Sequence, residues 1–307
     1  MPPRLIINAD DFGLTPGVNR AIAELHQAGA LTSTTLMATG PAFDDAVAVA
    51  RANPTLGVGC HIALTDGVPV SPPEEIPTLI GPDGKTFRPS LIDFLQALLR
   101  GNISEEEITR EATAQIQKLQ RAGIHITHLD THKHTHLFPG VARPLLGLAE
   151  RYNIAAIRQP FEQPWSLALG HGNRTRRILV KVFARLKASF ERQPQIRNGR
   201  VQTTDGTIGI SATGSLYGET LREILNAMPA EGTFELVCHP GYNDRDLDRI
   251  TTRLRAHRDV ERNALLTELP RAALNPNAPQ LINYGDLAEG VAQQSVSDDT
   301  APLTTNN

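Results

Sequence analysis

The sequence predicts an α/β protein with a parallel sheet or barrel in one large domain, and three observations carry that reading. Short apolar or β-branched segments alternate with amphipathic ones along the chain, the pattern of repeated βα units. Residues able to do chemistry recur where the strand-like segments end: Asp10-Asp11, His61, the tract from His128 to His136, and His239. The C-terminal ends of parallel strands are where such sheets collect their chemistry. The length, 307 residues, falls within the range of a single α/β barrel.

The elements follow in order. Leu5-Ile6-Ile7 reads as a buried strand that runs into two carboxylates and Gly13. A helix follows with Thr15 as N-cap, Pro16 at its first position and Gly29 as its stop. Residues 32–38 read as a β-branched strand and 43–52 as a helix. Leu56 to Thr65 is an apolar run interrupted by His61. Ser104-Glu-Glu-Glu107 is a capping box opening a helix that ends at Gly123. Ile124 and Ile126 start a strand that carries the histidine tract, with Pro139-Gly140 as a stop. A helix over 145–152, a strand over 155–158, a strand near Ile208 and a helix over 219–228 come next. The strand led by Phe234, a charged helix over about 244–266 and a short strand at Leu281-Ile282 complete the series. Two insertions interrupt it, at 64–100, rich in proline, and at 158–206. The polar tail over 291–307 is expected to be disordered.

Four of the ten histidines lie between His128 and His136. His128, Asp130, His132, His134 and His136 alternate, and alternation in an extended chain points side chains to one face. Neutral imidazole is the commonest protein ligand for a borderline metal. Asp10 and Asp11 would point to opposite sides if extended, so one can hold a metal while the other accepts a proton. A lone histidine in an apolar strand is more often a satisfied core residue, so the recurrence matters more than any single member. Asp11-Phe12-Gly13 spells the kinase metal-binding tripeptide, but no glycine-rich loop or His-Arg-Asp element precedes it.

Together these segments resemble a known family. Asn8-Ala-Asp-Asp-Phe-Gly-Leu14, Thr32-Ser-Thr-Thr35, Gly59-Cys-His61 with Leu64-Thr65, Thr127-His-Leu-Asp-Thr-His132 with His134 and His136, and Cys238-His-Pro240 look like the YdjC-like carbohydrate deacetylases. These include chitooligosaccharide deacetylases and hopanoid-biosynthesis-associated deacetylases. The resemblance runs over about residues 4–269 in matching order. It implies a distorted TIM-like (β/α) barrel and metal-dependent removal of N-acetyl groups from a small carbohydrate.

Residue by residue, the resemblance implies Asp11, His61 and His132 as ligands of one divalent ion, magnesium or zinc. It implies Asp10 as general base and His239 as general acid, with Arg158 holding Asp10 ionised and oriented. Those two groups would give a bell-shaped pH dependence, Asp10 on the acid limb and His239 on the basic limb. His128, His134 and His136 become candidates for substrate binding, with polar packing as the alternative. Lys133 stands where many members carry histidine or glutamine. It alternates away from the others, so little effect on the metal is expected. The resemblance also implies a homo-oligomer. Two other readings stand beside it: a different metal-dependent hydrolase of small metabolites, and a non-catalytic binding protein. The adjacent Asp10 and Asp11 argue against the second, because binding alone needs no free base beside the ligands.

Composition narrows the setting. No apolar run approaches the ~20 residues of a membrane span. The first apolar run is too short for a signal peptide and leads into acids, so a cytoplasmic location is expected. Cys60 and Cys238 read as small buried residues in a reducing compartment, not a disulfide. Residues 173–200 hold nine Lys or Arg against one acid, in a chain of net charge −3. Ile178, Leu179, Val182, Phe183 and Leu186 add an apolar stripe at helical spacing. A helix near 174–190 is therefore either barrel packing with a solvated basic face or a peripheral membrane contact, the latter suiting a lipid-linked amino sugar. Nucleic acid is not an expected partner, since the chain is acidic overall and has no reading module.

Overall fold

A computed structural model describes residues 2–169 and 174–287. Among them, eight strands form one parallel sheet: β1 (Arg4–Phe12), β2 (Ser33–Leu36), β3 (Gly57–Ile62), β4 (Ile126–Thr131), β5 (Ala156–Ile157), β6 (Gly206–Ile208), β7 (Thr233–Cys238) and β8 (Gln280–Leu281). The order is β5-β4-β3-β2-β1-β7-β6, and β8 pairs with the N-terminal end of β1. The sheet curls, and each edge strand has one isolated parallel bridge to the second insertion, Ala156↔Gln202 from β5 and Glu162↔Thr207 from β6. This is the predicted barrel in distorted form, with an irregular seam where the second insertion enters.

The helices α1 (Pro16–Gln27), α2 (Phe43–Ala52), α3 (Leu91–Leu99), α4 (Glu105–Arg121) and α5 (Pro139–Arg151) cross between the early strands. The caps are those the sequence announces. Thr15 accepts from Val18 N at 3.1 Å, and Ser104 accepts from Glu107 N. The second insertion carries α6 (Pro164–Leu169), α7 (Arg174–Phe183), α8 (Lys187–Glu191) and α9 (Pro194–Arg197). Next come α10 (Gly218–Asn226) and α11 (Ala256–Ala272). Three elements differ from expectation. The helix α5 begins at Pro139, the position expected to stop the preceding strand, and not at 145. The helix α3 sits inside the proline-rich insertion, capped by Ser90. The charged helix starts at Ala256 rather than 244, because the Asp244 carboxylate caps a tight turn at Asp246 and Leu247. The polar tail lies outside the described residues. Among the described residues, no helix is long and apolar enough to cross a membrane.

Strand alternation sorts the side chains into two environments. Leu5, Ile7 and Ala9 on β1, Val58, Cys60 and Ile62 on β3, and Phe234, Leu236 and Cys238 on β7 join the main hydrophobic core. The opposite parity is largely small, polar or charged, with Ile6 on β1, Ile126 on β4 and Val237 on β7 as its apolar members. Its other members include Asn8 and Asp10; Ser33 and Thr35; Gly59 and His61; His128 and Asp130; and Glu235. One end of this inner face is plugged by apolar packing of Ile6, Ala156, Ile282, Tyr284 and Leu287. Above the plug the barrel interior is a polar column leading to the strand ends.

Gly59 shows how tightly the column is filled. A Cβ there would stand 2.5 Å from His128 Cε1, and that ring is stacked on Tyr284 at 3.7 Å between centroids. Neither the strand nor the stacked ring can give way cheaply. Gly59→Ala is expected to destabilise the fold by about 1–3 kcal/mol. An unchanged urea midpoint would disprove the close fit.

Candidate metal centre and catalytic site

The two neighbouring carboxylates do not diverge as an extended chain would make them. Asp11 has φ +66°, and the β1–β2 register slips between Ala9 and Phe12. Aspartate tolerates the left-handed region better than most residues. This bulge turns Asp10 and Asp11 toward the same end of the barrel, where each has separate partners.

Asp11, His61 and His132 converge. Asp11 Oδ1 lies 3.7 Å from His61 Nε2 and 3.4 Å from His132 Nδ1, and the two ring nitrogens are 3.4 Å apart. Their three ligand atoms lie within 4.8 Å of one another. One carboxylate and two imidazoles form a donor set that suits a divalent ion and leaves positions open for water and substrate. The geometry around them fits the same purpose. His61 Nδ1 donates to Asp130 Oδ1 at 2.8 Å, which fixes the ring and leaves Nε2 facing the cluster. Arg258 of α11, itself buried, donates to the other oxygen of Asp11 at 2.5 Å, so only Oδ1 is free.

Asp10 belongs to a different network. Arg158, fully buried, grips it through two N–H groups at 3.0 and 2.7 Å. The same guanidinium meets Asp130 at 2.6 Å and Glu235 at 2.7 Å. Tyr284 donates to Glu235 at 2.6 Å. One cation thus stands among three buried carboxylates. Burial alone would raise the Asp10 carboxyl; the Arg158 charge and hydrogen bonds, with His61 and His239, win and hold it well below the usual range. Asp11 is likewise held low against burial, by Arg258 and His132.

His239 follows directly on β7. Its Nε2 lies 3.7 Å from Asp10 Oδ2, and its backbone N–H donates to Glu261 of α11 at 2.6 Å. A carboxylate acceptor and an imidazole donor therefore flank the ligand cluster.

The histidine tract is only half the row its alternation suggests. Extended structure stops at Thr131, and His132–Leu137 winds into a tight turn with Lys133 and His134 at positive φ. His128 is fully buried on Tyr284, and burial pushes it to the neutral form. His136 is fully buried too, bonded to Thr131 Oγ1 at 2.6 Å and to the Arg158 carbonyl at 3.2 Å. Burial, then the Arg158 charge, pushes its pKa down to about 3. The substrate-facing role expected for these two gives way to packing behind the site, because the barrel interior closes over them. His134 differs. Among the described residues its buried Nδ1 has no partner, and its ring borders a small cavity with Phe161, Val180 and Phe183. Lys133 pairs with Asp66 of the first insertion, whose carboxylate approaches His132 Nε2 at 4.0 Å. It thereby ties that insertion to the rim of the cluster.

Six contributors carried no assigned role in the sequence reading: Thr35, whose hydroxyl lies 3.1 Å from His61 Nδ1 and 3.3 Å from Asp130 Oδ2, and Asp130, Glu235, Arg258, Glu261 and Tyr284. Asp130 stood in the alternation and Glu235 was a lone acid inside an apolar strand, so both had a signal. Arg258 and Glu261 had none, being two charges among many on a charged helix. Cys60 and Cys238 are buried and unpaired, as expected.

The His61 ring gives a pH prediction. Burial alone would lower its pKa; the Asp130 charge and hydrogen bond, with Asp10 and Asp11, overcome that and raise it to about 9. A folded-state value above the unfolded 6.5 stabilises the metal-free protein below pH 6.5. That contribution is lost as pH climbs through 9. Metal must displace the same proton, so metal affinity is expected to rise across this window. Calorimetric titration with zinc showing no pH dependence between 6.5 and 9 would count against it.

Known proteins resemble this chain over most of its length. A family model described as YdjC-like protein matches residues 4–275. The chain is 34% identical over 241 residues to a protein of Brevibacillus brevis named carbohydrate deacetylase, covering 78% of this chain and 82% of that one. It is 30% identical over 283 residues to one of the same name from Thermoanaerobacter pseudethanolicus, covering 92% and 98%. A crystal structure from Enterococcus faecalis V583, provisionally named for cellobiose-phosphate cleavage, superposes with a TM-score of 0.74. Its identity is 28%, over 94% of this chain and all of that one.

Proposed function

This chain belongs to the YdjC-like protein family, and we propose that it is a carbohydrate deacetylase that hydrolyses the N-acetyl group of an amino sugar with the help of one divalent ion. The substrate class is an oligosaccharide or glycoconjugate containing N-acetylglucosamine. The observation that carries the reading is the pairing of functions around one cluster. Three ligand groups, Asp11, His61 and His132, lie beside an anionic acceptor, Asp10, and a potential proton donor, His239. Relatives named carbohydrate deacetylase support the same chemistry.

A divalent ion held by Asp11, His61 and His132 supplies Lewis-acid activation of water and of the acetamide carbonyl. The protein's own groups do the rest. Asp10 accepts the proton of the attacking water while its oxygen bonds to the carbonyl carbon. His239 passes a proton to the amide nitrogen as the C–N bond breaks, giving acetate and a free amine. Arg158 fixes the Asp10 carboxylate in plane and keeps it anionic.

That clamp changes the expected pH profile. Because Asp10 is held well below the usual carboxylate range, it does not set the acid limb of activity. Protonation of His61, which would compete with a bound ion, sets it instead.

The test is acetate release from N-acetylglucosamine oligomers and glycolipid analogues. Metal-stripped protein is compared with protein given zinc, magnesium, manganese or cobalt. Release that needs an added metal establishes the reading and names the substrate class. Stoichiometric metal binding without release from any of these substrates would point to a different amide or a binding role.

A further inference from the structure

The helix α7 does not sit as an ordinary surface helix, whose apolar stripe faces the core. At 100° per residue, Ile178, Leu179 and Val182 share one flank, Val180 and Phe183 a second, and Arg177 and Lys181 a third, with Arg185 in the tight turn that follows α7. The second flank is the anchor. Phe183 meets the Phe138 ring edge-on at 5.5 Å, and with Val180 it borders the cavity beside His134. The first flank has no such cover among the described residues: Ile178, Leu179 and Val182 are 62%, 47% and 46% exposed. Beside it Lys181 and Arg185 are exposed, and the basic run continues to the exposed Arg192 and Arg197.

We infer that this face of α7 docks on an anionic lipid bilayer. The three aliphatic side chains enter the headgroup boundary, and the lysine and arginine heads on the adjoining flank meet lipid phosphates. A bilayer complements both halves of the face. A second copy of the chain does not. A two-fold pairing sets the same patch against itself, and the exposed Lys181 and Arg185 beside the aliphatic flank would then meet their own kind. The placement has a consequence for access, since the flank opposite the bilayer borders the cavity next to His134. The inference concerns binding alone and stands or falls independently of the hydrolytic reading.

The test is co-sedimentation of the full chain with phosphatidylcholine vesicles, with and without phosphatidylglycerol. Three proteins are compared: wild type, the triple variant Ile178→Ser, Leu179→Ser, Val182→Ser, and the charge variant Lys181→Glu, Arg185→Glu. Wild type is expected to bind only when phosphatidylglycerol is present and to be released by salt. Each variant is expected to bind at least about tenfold more weakly. None of these residues touches the ligand cluster, so thermal melting and zinc binding should be unchanged. No binding to the anionic vesicles, or equal binding by all three proteins, overturns the inference. So does a variant that changes only the oligomeric state in size-exclusion chromatography, which would assign the face to self-association.

Discussion

Replacing Arg158 with methionine is expected to cost about 3–5 kcal/mol and to leave little folded protein at 37 °C. The reason is local and electrostatic. The guanidinium is the shared cation for Asp10, Asp130 and Glu235, all buried. Without it, the three carboxylates keep only the His61 ring beside Asp130 and the Tyr284 hydroxyl on Glu235, too little to hold three buried charges together. Arg158→Lys is expected to rescue only part of the loss. An ammonium is a compact point charge and cannot reproduce the planar fork that grips both Asp10 oxygens while reaching Glu235. Chemical denaturation of metal-free protein measures this without reference to activity. A variant as stable as wild type would mean that these carboxylates are neutral in the fold, and the electrostatic description of the barrel interior would be wrong.

Asp10→Asn is expected to act on turnover instead. The amide keeps the size of the side chain but cannot take a proton from water. A drop in kcat of about 10²- to 10⁴-fold is expected. Zinc affinity should stay within a few-fold of wild type, since Asp11, His61 and His132 are untouched. The acid limb of the remaining activity should not move, because Asp10 is held too low to set it and protonation of His61 does. Residual activity near wild type would remove Asp10 from the reaction. Loss of metal binding together with activity would instead place Asp10 in the ligand shell, as the neighbouring grouping of Asp10, His61 and Asp130 would allow.

Much of this was legible in the sequence because the strands are short and end in chemically distinctive residues. Leu5-Ile6-Ile7 with Asp10-Asp11, and Phe234 to Cys238 with His239, announce both strand and site. Periodicity failed where the backbone leaves regular geometry. The positive φ of Asp11 brings adjacent side chains together, and the turn after Thr131 scatters a row of histidines that looks uniform on paper. Neither departure has a glycine to mark it. Arg258 was silent for another reason. Its role depends on α11 being laid across the mouth of β1, a contact spanning 247 residues, and nothing local encodes it. The basic segment was legible as amphipathic, but which flank met the body had to come from the structure.

The pairing of β1 has a consequence for synthesis. From Arg4 to Ala9 this strand bonds on one side to β7, which begins at Thr233, and near its start on the other to β8 at Gln280. At 5–20 residues per second, a ribosome needs roughly ten to fifty seconds to deliver β7 after β1 has been made. For that interval Leu5, Ile6 and Ile7 form a bare aliphatic edge with β2 as its only early neighbour. The growing chain is then most exposed to wrong pairing, and a holdase that shields its first residues would raise the yield of folded protein without altering the finished molecule.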